Sequence, residues 1–376
     1  MNLIDPLLQA IHKKGFLNPT PIQEKAIPSI LQGKDLFGCA QTGTGKTAAF
    51  VLPILHLMET EKNRQSRRAI RTLVLAPTRE LASQISAEFA NYSKNLQIRL
   101  LTVYGGVSQR QQTNALQKGI DILVATPGRL LDLIQQGYIH LGHVEFFVLD
   151  EADRMLDMGF IHDIKRIQKE LPARKQTMLF SATTTPEIRK LAAAMLNNPV
   201  QINLAPDPTP PVLVSQSVYH VNQENKKLLL THLLQDDVIT QALVFTRTKR
   251  GAENVVKNLS RMGIKADAIH GNKSQLAREK ALFAFKTRRI RILVATDVAS
   301  RGIDIDQLSH VINFEIPEEA ETYVHRIGRT GRAGQAGAAL SFCAVNEKPY
   351  LKNIHKLIRQ NIDVIHTHPF ALTQRN

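Results

Sequence analysis

The sequence of 376 residues contains only two cysteines, Cys39 and Cys343. Two thiols cannot make a disulfide framework or a four-ligand zinc site, so both kinds of scaffold are excluded. The chain also lacks an uncharged apolar run of the roughly 18 residues that a membrane span needs, and its first residues do not form a basic segment followed by an apolar one. These absences predict a cytoplasmic protein without an export signal or a membrane anchor.

Acidic residues are the scarcer charged class, with 33 Asp and Glu against 48 Lys and Arg. The formal net charge of +15 makes nucleic acid a candidate partner, although a protein without such a partner can also be basic. The length exceeds what one core usually supports, and 43% apolar residues provide enough material for two cores. Two domains are therefore expected.

Two apolar segments recur at one constant offset along the chain. Residues 72–75 are echoed by residues 242–245, and the sequence Ile-Leu-Val-Ala-Thr at 122–126 is repeated without change at 292–296. Short apolar strands resemble one another by chance, but two matches in the same register predict two related lobes.

Each lobe alternates short Val/Ile/Leu runs with amphipathic stretches such as 79–94 and 154–169. This alternation is typical of an α/β fold in which crossover helices cover both faces of a parallel sheet. A proline-rich stretch at 205–211 can continue neither a helix nor a central strand. The predicted domains are 1–205 and 216–376, joined by a linker at 206–215.

Residues 40–47 match the phosphate-loop pattern if its first glycine is relaxed to alanine. They lie between an apolar segment at 35–39 and a helix-like run that starts at Thr47. Glycine lets backbone N–H groups face phosphates, a lysine reaches the β- and γ-phosphate oxygens, and a threonine ligates Mg²⁺. The alternative is a Gly/Thr-rich turn before a helix. The nucleotide-binding candidates here are Ala40, Gln41, Thr42, Gly43, Thr44, Gly45, Lys46 and Thr47.

Asp150 and Glu151 follow the apolar run at 146–149, where open α/β sheets place their ligands. Alone, such a pair is more often a solvated turn. Beside a phosphate loop, it predicts that Asp150 holds Mg²⁺ with Thr47 and that Glu151 orients or deprotonates the attacking water. With Lys46, these two acids are the catalytic candidates of the first lobe.

The sequence Asp-Glu-Ala-Asp at 150–153, together with 40–47, resembles the DEAD-box RNA helicases, and the resemblance covers nearly the whole chain. Further motifs occur in the family's order at 15–16, 19–23, 77–82, 105–106, 126–129, 181–183, 244–247, 275–278, 295–304 and 325–332. The resemblance implies two tandem RecA-like domains, each a mostly parallel sheet flanked by helices, with ATP and Mg²⁺ as cofactors. Among subgroups, the chain most resembles the bacterial RhlE-like helicases.

The amide of Gln23 can donate to and accept from one edge of adenine, and the resemblance places Phe16 as the ring that stacks on it, with ordinary core packing as the alternative. Gly302 and Asp304 complete the implied nucleotide contacts. By resemblance, Arg329 and Arg332 are arginine fingers that reach the γ-phosphate, whereas salt bridges within the second lobe are the alternative. The residues that the resemblance assigns to coupling are Asp153, Ser181, Thr183, His325 and Arg326, of which the last two bridge to the first lobe.

The implied RNA contacts come from both lobes and offer hydroxyls, small residues and cations. These groups suit phosphate and 2′-hydroxyl oxygens better than base edges, so binding should be largely independent of sequence. Other basic residues, including Arg64, Arg67, Arg68 and those at 288–291, are predicted to lie on solvated faces. The RNA-binding candidates are Pro77, Thr78, Arg79, Gly106, Thr126, Arg129, Thr246, Gly271, Gln275, Arg278 and Thr296.

These residues together predict an ATP-dependent RNA helicase that hydrolyses ATP on binding RNA and locally unwinds short duplexes or remodels ribonucleoprotein. One alternative is an ATP-gated RNA clamp that recruits partners without productive unwinding. Another is a DNA helicase, which ranks lowest because Gln23 and residues 150–153 resemble the RNA branch. The expected mechanism is closure of the two lobes, favoured jointly by ATP and one RNA strand.

Overall fold

A computed structural model describes residues 3–40, 43–60, 68–204, 214–236, 238–297, 308–331 and 336–371. The chain divides into two compact units, Met1–Ala205 and Pro206–Asn376. Most of the predicted linker lies outside the described residues. Its last two positions, Val214 and Ser215, already belong to a strand, because Val214 is buried and pairs with Gly337 of a neighbouring strand.

The first unit is a parallel sheet with helices between its strands. In the described residues its sheet order is β3-β4-β2-β5-β6-β1-β7. The strands are β1 (Leu36–Cys39), β2 (Thr72–Leu75), β3 (Leu100–Val103), β4 (Ile122–Ala125), β5 (Phe146–Leu149), β6 (Gln176–Ser181) and β7 (Val200–Asn203). The helices are α1 (Asp5–Lys13), α2 (Pro21–Leu31), α3 (Lys46–Thr60), α4 (Arg79–Tyr92), α5 (Gln109–Gln117), α6 (Pro127–Gln135), α7 (Ala152–Asp157), α8 (Ile161–Glu170) and α9 (Pro186–Met195).

The second unit has the same architecture, with the order β10-β11-β9-β12-β13-β8-β14. Its strands are β8 (Val214–His220), β9 (Ala242–Thr246), β10 (Ala266–Ile269), β11 (Ile292–Thr296), β12 (His310–Asn313), β13 (Gly337–Cys343) and β14 (Asp363–Ile365). Its described helices are α10 (Lys226–Leu233), α11 (Lys249–Arg261), α12 (Gln275–Lys286), α13 (Ala320–Ile327) and α14 (Lys348–Ile358), with 3₁₀ turns at Gln223–Asn225 and Val345–Glu347.

The two sheets repeat one permutation of strands, which confirms the prediction of two related lobes. The recurring segments are neighbours in each sheet and share one register: Thr72 pairs with Ile122 in the first unit, and Ala242 pairs with Ile292 in the second. Within both described sheets the pairing is parallel, as the crossover pattern predicted.

The strands are buried on both faces, which explains their continuous apolar sequences. In β2 and β5, Val74 and Val148 pack into one core, whereas Leu73 and Leu149 pack into a second core on the opposite face. Successive side chains of a strand point to opposite faces, so a strand covered on both sides requires apolar residues throughout.

The amphipathic stretch at 154–169 is divided between α7 and α8. Gly159 separates these helices with a φ of 80°, a conformation that glycine adopts without a steric penalty. The stretch at 79–94 forms the single helix α4, which the Thr78 hydroxyl caps by accepting the Leu81 N–H at 3.3 Å. Of the helices in the described ranges, none combines the length and apolarity needed to cross a membrane.

Candidate functional site

The carboxyl ends of the parallel strands bring the candidate residues of the first unit to one edge of its sheet. The phosphate loop follows β1, Pro77 and Thr78 follow β2, Asp150 follows β5, and Ser181 ends β6. Open parallel α/β sheets bind ligands at this edge because helix N-termini and connecting loops meet there. The fold therefore assembles motifs that are far apart in the sequence.

The phosphate loop turns through Gly43 and Gly45, whose φ angles of 82° and 89° favour glycine. Lys46 is the first residue of α3 and is buried, and its Nζ donates a hydrogen bond to the carbonyl oxygen of Ala40 at 2.6 Å. The ammonium thus lies within the loop at a helix N-terminus, which is a favourable environment for phosphate. Thr44 is half-buried. The predicted site residues outside the described ranges are Gln41, Thr42, Gly302, Asp304 and Arg332.

Gln23 connects the start of α2 to the phosphate loop. Its Oε1 accepts the Thr20 N–H at 3.0 Å, and its Nε2 donates to the carbonyl oxygen of Gly45 at 3.2 Å. A Cβ at position 45 would lie 2.5 Å from this Nε2, so the close approach requires glycine. Phe16 is 54% exposed, and its ring is therefore not part of the core.

Asp150 is a buried carboxylate whose Oδ1 accepts the Glu151 N–H at 3.0 Å. Burial raises the pKa of Asp150 to about 7, with Lys46 opposing the shift and Glu151 and Asp153 adding to it. A divalent cation would stabilise the ionised form, and the Asp150 carboxylate and the half-buried Thr47 hydroxyl are the oxygen ligands that Mg²⁺ prefers. The donor set therefore fits Mg²⁺.

The described residues contain no group of three or more His, Cys, Asp or Glu side chains able to hold a metal ion. Mg²⁺ commonly binds through one or two carboxylates, with phosphate and water as its other ligands. A sparse protein donor set at Asp150 is consistent with that pattern.

Glu151 has a left-handed helical backbone with φ 54° and ψ 53°, which costs roughly 1–2 kcal/mol for a residue with a side chain. Its carboxylate is buried and forms an ion pair with the buried guanidinium of Arg154. Strained backbone of this kind concentrates at functional sites. Sequence reasoning missed Arg154, because a Glu and an Arg three residues apart resemble an ordinary surface pair of a helix.

Asp153 joins the acidic motif to the segment after β6. Its Oδ2 accepts the backbone N–H groups of Ala182 at 2.9 Å and Thr183 at 3.1 Å, and its Oδ1 accepts the Arg154 N–H at 3.0 Å. The Thr183 N–H also donates to the Ser181 hydroxyl at 3.2 Å. Three of the residues predicted for coupling are thus connected by direct hydrogen bonds.

The predicted RNA contacts Arg79 and Gly106 lie against each other. Gly106 has a φ of 78°, and a Cβ there would collide with the Arg79 guanidinium. The start of α4 and the turn after β3 therefore place the Arg79 guanidinium next to the exposed backbone of Gly106. Backbone that carries no side chain allows a nucleic-acid strand to approach closely.

The other RNA candidates of the first unit lie after β2 and at the start of α6. Thr126 is buried immediately before this helix, and Pro77 is buried after β2. Arg129, which is mostly buried, pairs through Nε with Asp132 at 3.4 Å and donates from Nη1 to Gln112 Oε1 at 3.5 Å. These contacts hold the guanidinium near the carboxyl edge of β4.

In the second unit, Thr246 and Thr296 are the last residues of β9 and β11, and they are direct partners in the sheet. Gln275 begins α12 and donates from Nε2 to Glu279 at 3.0 Å. Its Oε1 is buried and lacks a hydrogen-bond partner among the described residues. A buried acceptor without a partner carries an energetic penalty that a ligand hydroxyl would relieve.

The remaining two RNA candidates of the second unit lie beside these residues. Gly271 is exposed in the turn before α12, with the Lys249 ammonium close to the position that a Cβ would occupy. Arg278 is half-buried in the first turn of α12. The predicted contacts of this unit therefore cluster at one end of α12 and at the ends of β9 and β11.

Arg326 makes its contacts inside the second unit. Its Nε and Nη2 donate to the two carboxylate oxygens of Asp297 at 2.6 and 2.7 Å, and its Nη1 donates to Asn313 Oδ1 at 3.1 Å and to the Glu315 carbonyl oxygen at 2.8 Å. These bonds all lie within the second unit, and the bridge from Arg326 to the first lobe stays a prediction. The buried guanidinium needs these bonds, because an enclosed charge requires paired hydrogen-bonding partners. His325 is exposed.

Two further polar clusters of the second unit were missed by sequence reasoning. His270 Nε2 lies 2.7 Å from Glu253 Oε1, and its Nδ1 accepts the Asn272 N–H at 3.3 Å. These bonds fix the turn that carries Gly271. The only sequence signal for His270 was its position beside that glycine.

The second cluster is a fully buried ion pair between Lys226 and Glu347. The Lys226 ammonium also donates to the carbonyl oxygens of Phe314 at 2.9 Å and Phe342 at 3.0 Å, and Arg247 pairs with the other Glu347 oxygen. Burial lowers the pKa of Lys226, while Glu347 opposes the shift. The cluster links the carboxyl ends of β9, β12 and β13.

Two protein families match the chain. The DEAD/DEAH box helicase family matches residues 20–191, and the helicase conserved C-terminal domain matches residues 225–334. The first match includes the phosphate loop and the acids at 150–153. The second includes α12 and Arg329.

Curated relatives align with nearly the whole chain. ATP-dependent RNA helicase CshA of Listeria monocytogenes is 44% identical over 360 residues, covering 96% of this chain and 68% of that protein. DEAD-box ATP-dependent RNA helicase CshA of Bacillus cereus is 46% identical, with coverages of 96% and 68%. DEAD-box ATP-dependent RNA helicase RhpA of Helicobacter pylori is 42% identical, with coverages of 97% and 73%.

Solved structures share the fold. Saccharomyces cerevisiae Dbp5 bound to RNA and ADP BeF3 superimposes with a TM-score of 0.86 at 30% identity, covering 97% of this chain and 94% of that chain. A DEAD box protein of Methanococcus jannaschii gives a TM-score of 0.54 at 40% identity, with coverages of 97% and 98%. The two units are therefore tandem RecA-like domains.

Proposed function

This chain belongs to the DEAD-box family of ATP-dependent RNA helicases, and we propose that it hydrolyses ATP on binding RNA and locally unwinds short duplexes or remodels ribonucleoprotein. The observation that carries the proposal is the contact between Asp153 and the backbone N–H groups of Ala182 and Thr183. This contact connects the acids of the nucleotide site to the segment that the family resemblance links to strand separation. A displacement of the acids at 150–153 would therefore move the segment at 181–183 through these hydrogen bonds, with no flexible segment between them.

Nucleotide recognition begins at the amino-terminal side of the first unit. Gln23 reads the adenine edge and Phe16 stacks on the ring, a role that the 54% exposure of Phe16 supports. Lys46 and the backbone N–H groups around Gly43 and Gly45 neutralise the phosphates. Preference for ATP over other triphosphates follows from the adenine contacts.

Hydrolysis requires a metal ion and an oriented water molecule. Thr47 and Asp150 would hold Mg²⁺, which supplies neutralisation of the charge that develops on the phosphoryl oxygens. Glu151 orients the attacking water and accepts its proton. The buried guanidinium of Arg154 in α7 pairs with the Glu151 carboxylate and holds it in position.

The second unit supplies arginine fingers in this proposal. Arg329 and Arg332 stabilise charge at the γ-phosphate when the two units close, and such fingers are worth roughly 10³–10⁵ in rate. Gly302 and Asp304 add nucleotide contacts. His325, which is exposed, and Arg326, which is held by Asp297 directly after β11, are the residues proposed to bridge to the first unit.

RNA binds through its backbone across the carboxyl edges of both units. In the first unit, Arg79 over Gly106 supplies a cation beside accessible backbone. In the second unit, the unpartnered Gln275 Oε1 suits a 2′-hydroxyl donor. ATP and RNA each gain contacts from closure, so their binding is expected to be cooperative.

The proposal is tested by unwinding of matched short RNA and DNA duplexes with purified protein and ATP. Release of the RNA strand without any partner supports the proposal. ATP-dependent retention of RNA without strand release would indicate the clamp instead, and equal action on both duplexes would indicate a DNA helicase. Among the described contacts, none specifically favours the clamp.

The subgroup and the compartment are finer proposals. The RhlE-like subgroup stays a prediction, since the relatives above carry the names CshA and RhpA, and a tree built separately from each unit tests it. A cytoplasmic location is supported by Cys39 and Cys343, which are both buried free thiols. Cell fractionation with detection of the intact chain tests the compartment.

A further inference from the structure

Helix α12 leaves a large apolar surface uncovered. Leu276 is 65% exposed and Phe283 is 57% exposed, and their spacing of two helical turns puts them on one face. The opposite side of the helix contributes Ala281 and Phe285 to the core of the second unit. The Phe283 ring is exposed and does not contribute to the core of the second unit.

The turn that ends α12 brings a cation onto this ring. The Arg289 N–H donates to the Ala284 carbonyl oxygen at 2.8 Å, and the Arg289 guanidinium lies 5.4 Å from the centroid of the Phe283 ring. Arg288, between the helix and Arg289, has a φ of 57°, where glycine would be the unstrained residue. The chain therefore carries a cationic side chain at this turn despite the cost of that backbone conformation.

The surrounding charge is strongly positive. Between residues 275 and 291 the sequence holds six basic residues and one acid, Glu279. Arg291 is engaged inside the unit, because its Nε and Nη2 donate to the carbonyl oxygens of Ile239 and Asp236, both at 2.6 Å. Lys280, Arg288 and Arg289 have exposed side chains. The surface around the Phe283 ring therefore has three exposed cations nearby in the sequence, together with the exposed carboxylate of Glu279 one turn before the ring.

We propose that this face of α12 is an auxiliary binding platform for single-stranded RNA, on which one base stacks against Phe283 while Lys280, Arg288 and Arg289 contact phosphates. Aromatic stacking beside cations is how proteins hold single strands without reading sequence, since every base has a π-face. The inference rests on the proposed function, which already places RNA at Gln275 and Arg278 of the same helix.

The platform continues that proposed RNA path. Phe283 lies eight residues beyond Gln275, or about 12 Å along the helix axis. A strand that leaves Gln275 can therefore reach Phe283 without leaving the surface of α12. The platform would capture RNA flanking the segment bound at Gln275 and Arg278 and would favour substrates with single-stranded extensions.

The test compares two oligouridines in the presence of a non-hydrolysable ATP analogue: a short one, and one longer by about 10 nucleotides, within the range of known single-strand site sizes. Phe283→Ala should weaken binding of the long RNA about tenfold, as expected for loss of one stacked base. Binding of the short RNA and the ATPase rate at saturating short RNA should not change. Phe283→Tyr should restore the long-RNA affinity.

Arg289→Ala supplies an independent measurement. The slope of log affinity against log salt for the long RNA should become shallower by about 0.7, the value for one phosphate contact on a single strand. Met262→Ala is the matched control, because Met262 is an apolar side chain of the same unit that is 58% exposed at the end of α11. It should leave both RNA affinities unchanged.

Equal losses for the short and long RNAs in Phe283→Ala would overturn the platform, as would no loss for either. Unchanged RNA binding combined with weaker capture of polyglutamate would also overturn it and would point to an acidic protein partner. A wild-type chain whose ATPase does not respond to any RNA would instead overturn the proposed function. The two failures are therefore distinguishable.

Discussion

Gln23 donates a hydrogen bond from its side-chain amide to the carbonyl oxygen of Gly45, at 3.2 Å. The same amide accepts the Thr20 N–H through its oxygen, so one side chain both stabilises the start of α2 and holds the phosphate loop. If Gln23 binds adenine, a change in the position of its amide would directly alter the hydrogen bond to the phosphate loop.

Gln23→Glu separates these two functions. The carboxylate still accepts the Thr20 N–H, but it cannot donate to the Gly45 carbonyl oxygen and places a negative charge beside it. We expect ATP affinity to fall about tenfold, which corresponds to the loss of about one hydrogen bond, with little change in melting temperature. Gln23→Ala should lower both, because loss of the cap costs roughly 0.5–2 kcal/mol. Wild-type ATP affinity in Gln23→Glu would contradict this role of the amide.

Glu151→Gln should abolish turnover while ATP still binds in an RNA-dependent manner. The amide keeps the size of the side chain and can accept from Arg154, but it cannot take a proton from water. Steady-state ATPase assays and binding of a fluorescent ATP analogue measure the two effects. A full ATPase rate in this variant would show that another residue activates the water.

Asp153→Asn should reduce unwinding more than it reduces hydrolysis. An asparagine is neutral and has one acceptor oxygen in place of two. The N–H groups of Ala182, Thr183 and Arg154 therefore all lose a charged acceptor, and at least one of them loses its acceptor entirely. We expect the number of strands released per ATP hydrolysed to fall about tenfold or more. Asp163→Asn, the same acid-to-amide change in α8, is the matched control. Proportional losses of both activities would argue against coupling through this contact.

Arg329→Ala should slow ATP hydrolysis by roughly 10³–10⁵ while RNA affinity without nucleotide stays the same. The proposed role of Arg329 is to stabilise charge on the γ-phosphate. This role exists only when ATP is bound, so RNA binding without nucleotide should not depend on it. Arg261→Ala removes an exposed arginine from the end of α11 and controls for the loss of one positive charge. An equal loss of nucleotide-free RNA binding in Arg329→Ala would reassign this residue to the RNA site.

The buried ion pair of Lys226 and Glu347 should make a large coupled contribution to the stability of the second unit. Glu347→Gln leaves the buried Lys226 ammonium without its ionic partner, and Lys226→Met leaves the buried Glu347 carboxylate with Arg247 alone. Each variant should lower the free energy of unfolding, by roughly 3–5 kcal/mol for Glu347→Gln and by less for Lys226→Met. The double variant should lose less than the sum of the two, because the partners interact directly. Urea unfolding followed by circular dichroism gives all three values. Additive losses would mean that the two side chains act independently.

Most of the fold was predictable because its signals are local. The strands at 72–75, 122–125 and 146–149 are continuous apolar runs, and the structure has them at those positions. The recurring segments also indicate the topology, because 72–75 and 122–125 are neighbouring strands in the first sheet, as 242–245 and 292–295 are in the second. The break at Gly159 was not predicted, because the amphipathic pattern continues through it.

The site was less predictable where contacts join distant residues. Lys226 and Glu347 are separated by 121 positions, and neither lies in a pattern that indicates a buried charge. The direction in which a side chain points is also not predictable from the sequence. The spacing of the arginines does not indicate that the Arg326 guanidinium points inward and binds Asp297. Phe16 beside a proline-rich turn could equally have been packed, and only the structure places its ring in solvent.

The identical strand order of the two sheets gives Lys226 a counterpart in the first unit. Lys46 and Lys226 each begin the helix that follows the same strand of the permutation, β1 or β8. Residues 221–225 contain no glycine, and the Lys226 ammonium is already neutralised by Glu347. In the second RecA-like domain the lysine at this position is therefore engaged by a glutamate of its own unit and is not available to a phosphate. Calorimetric titration should accordingly give a stoichiometry of one nucleotide per polypeptide.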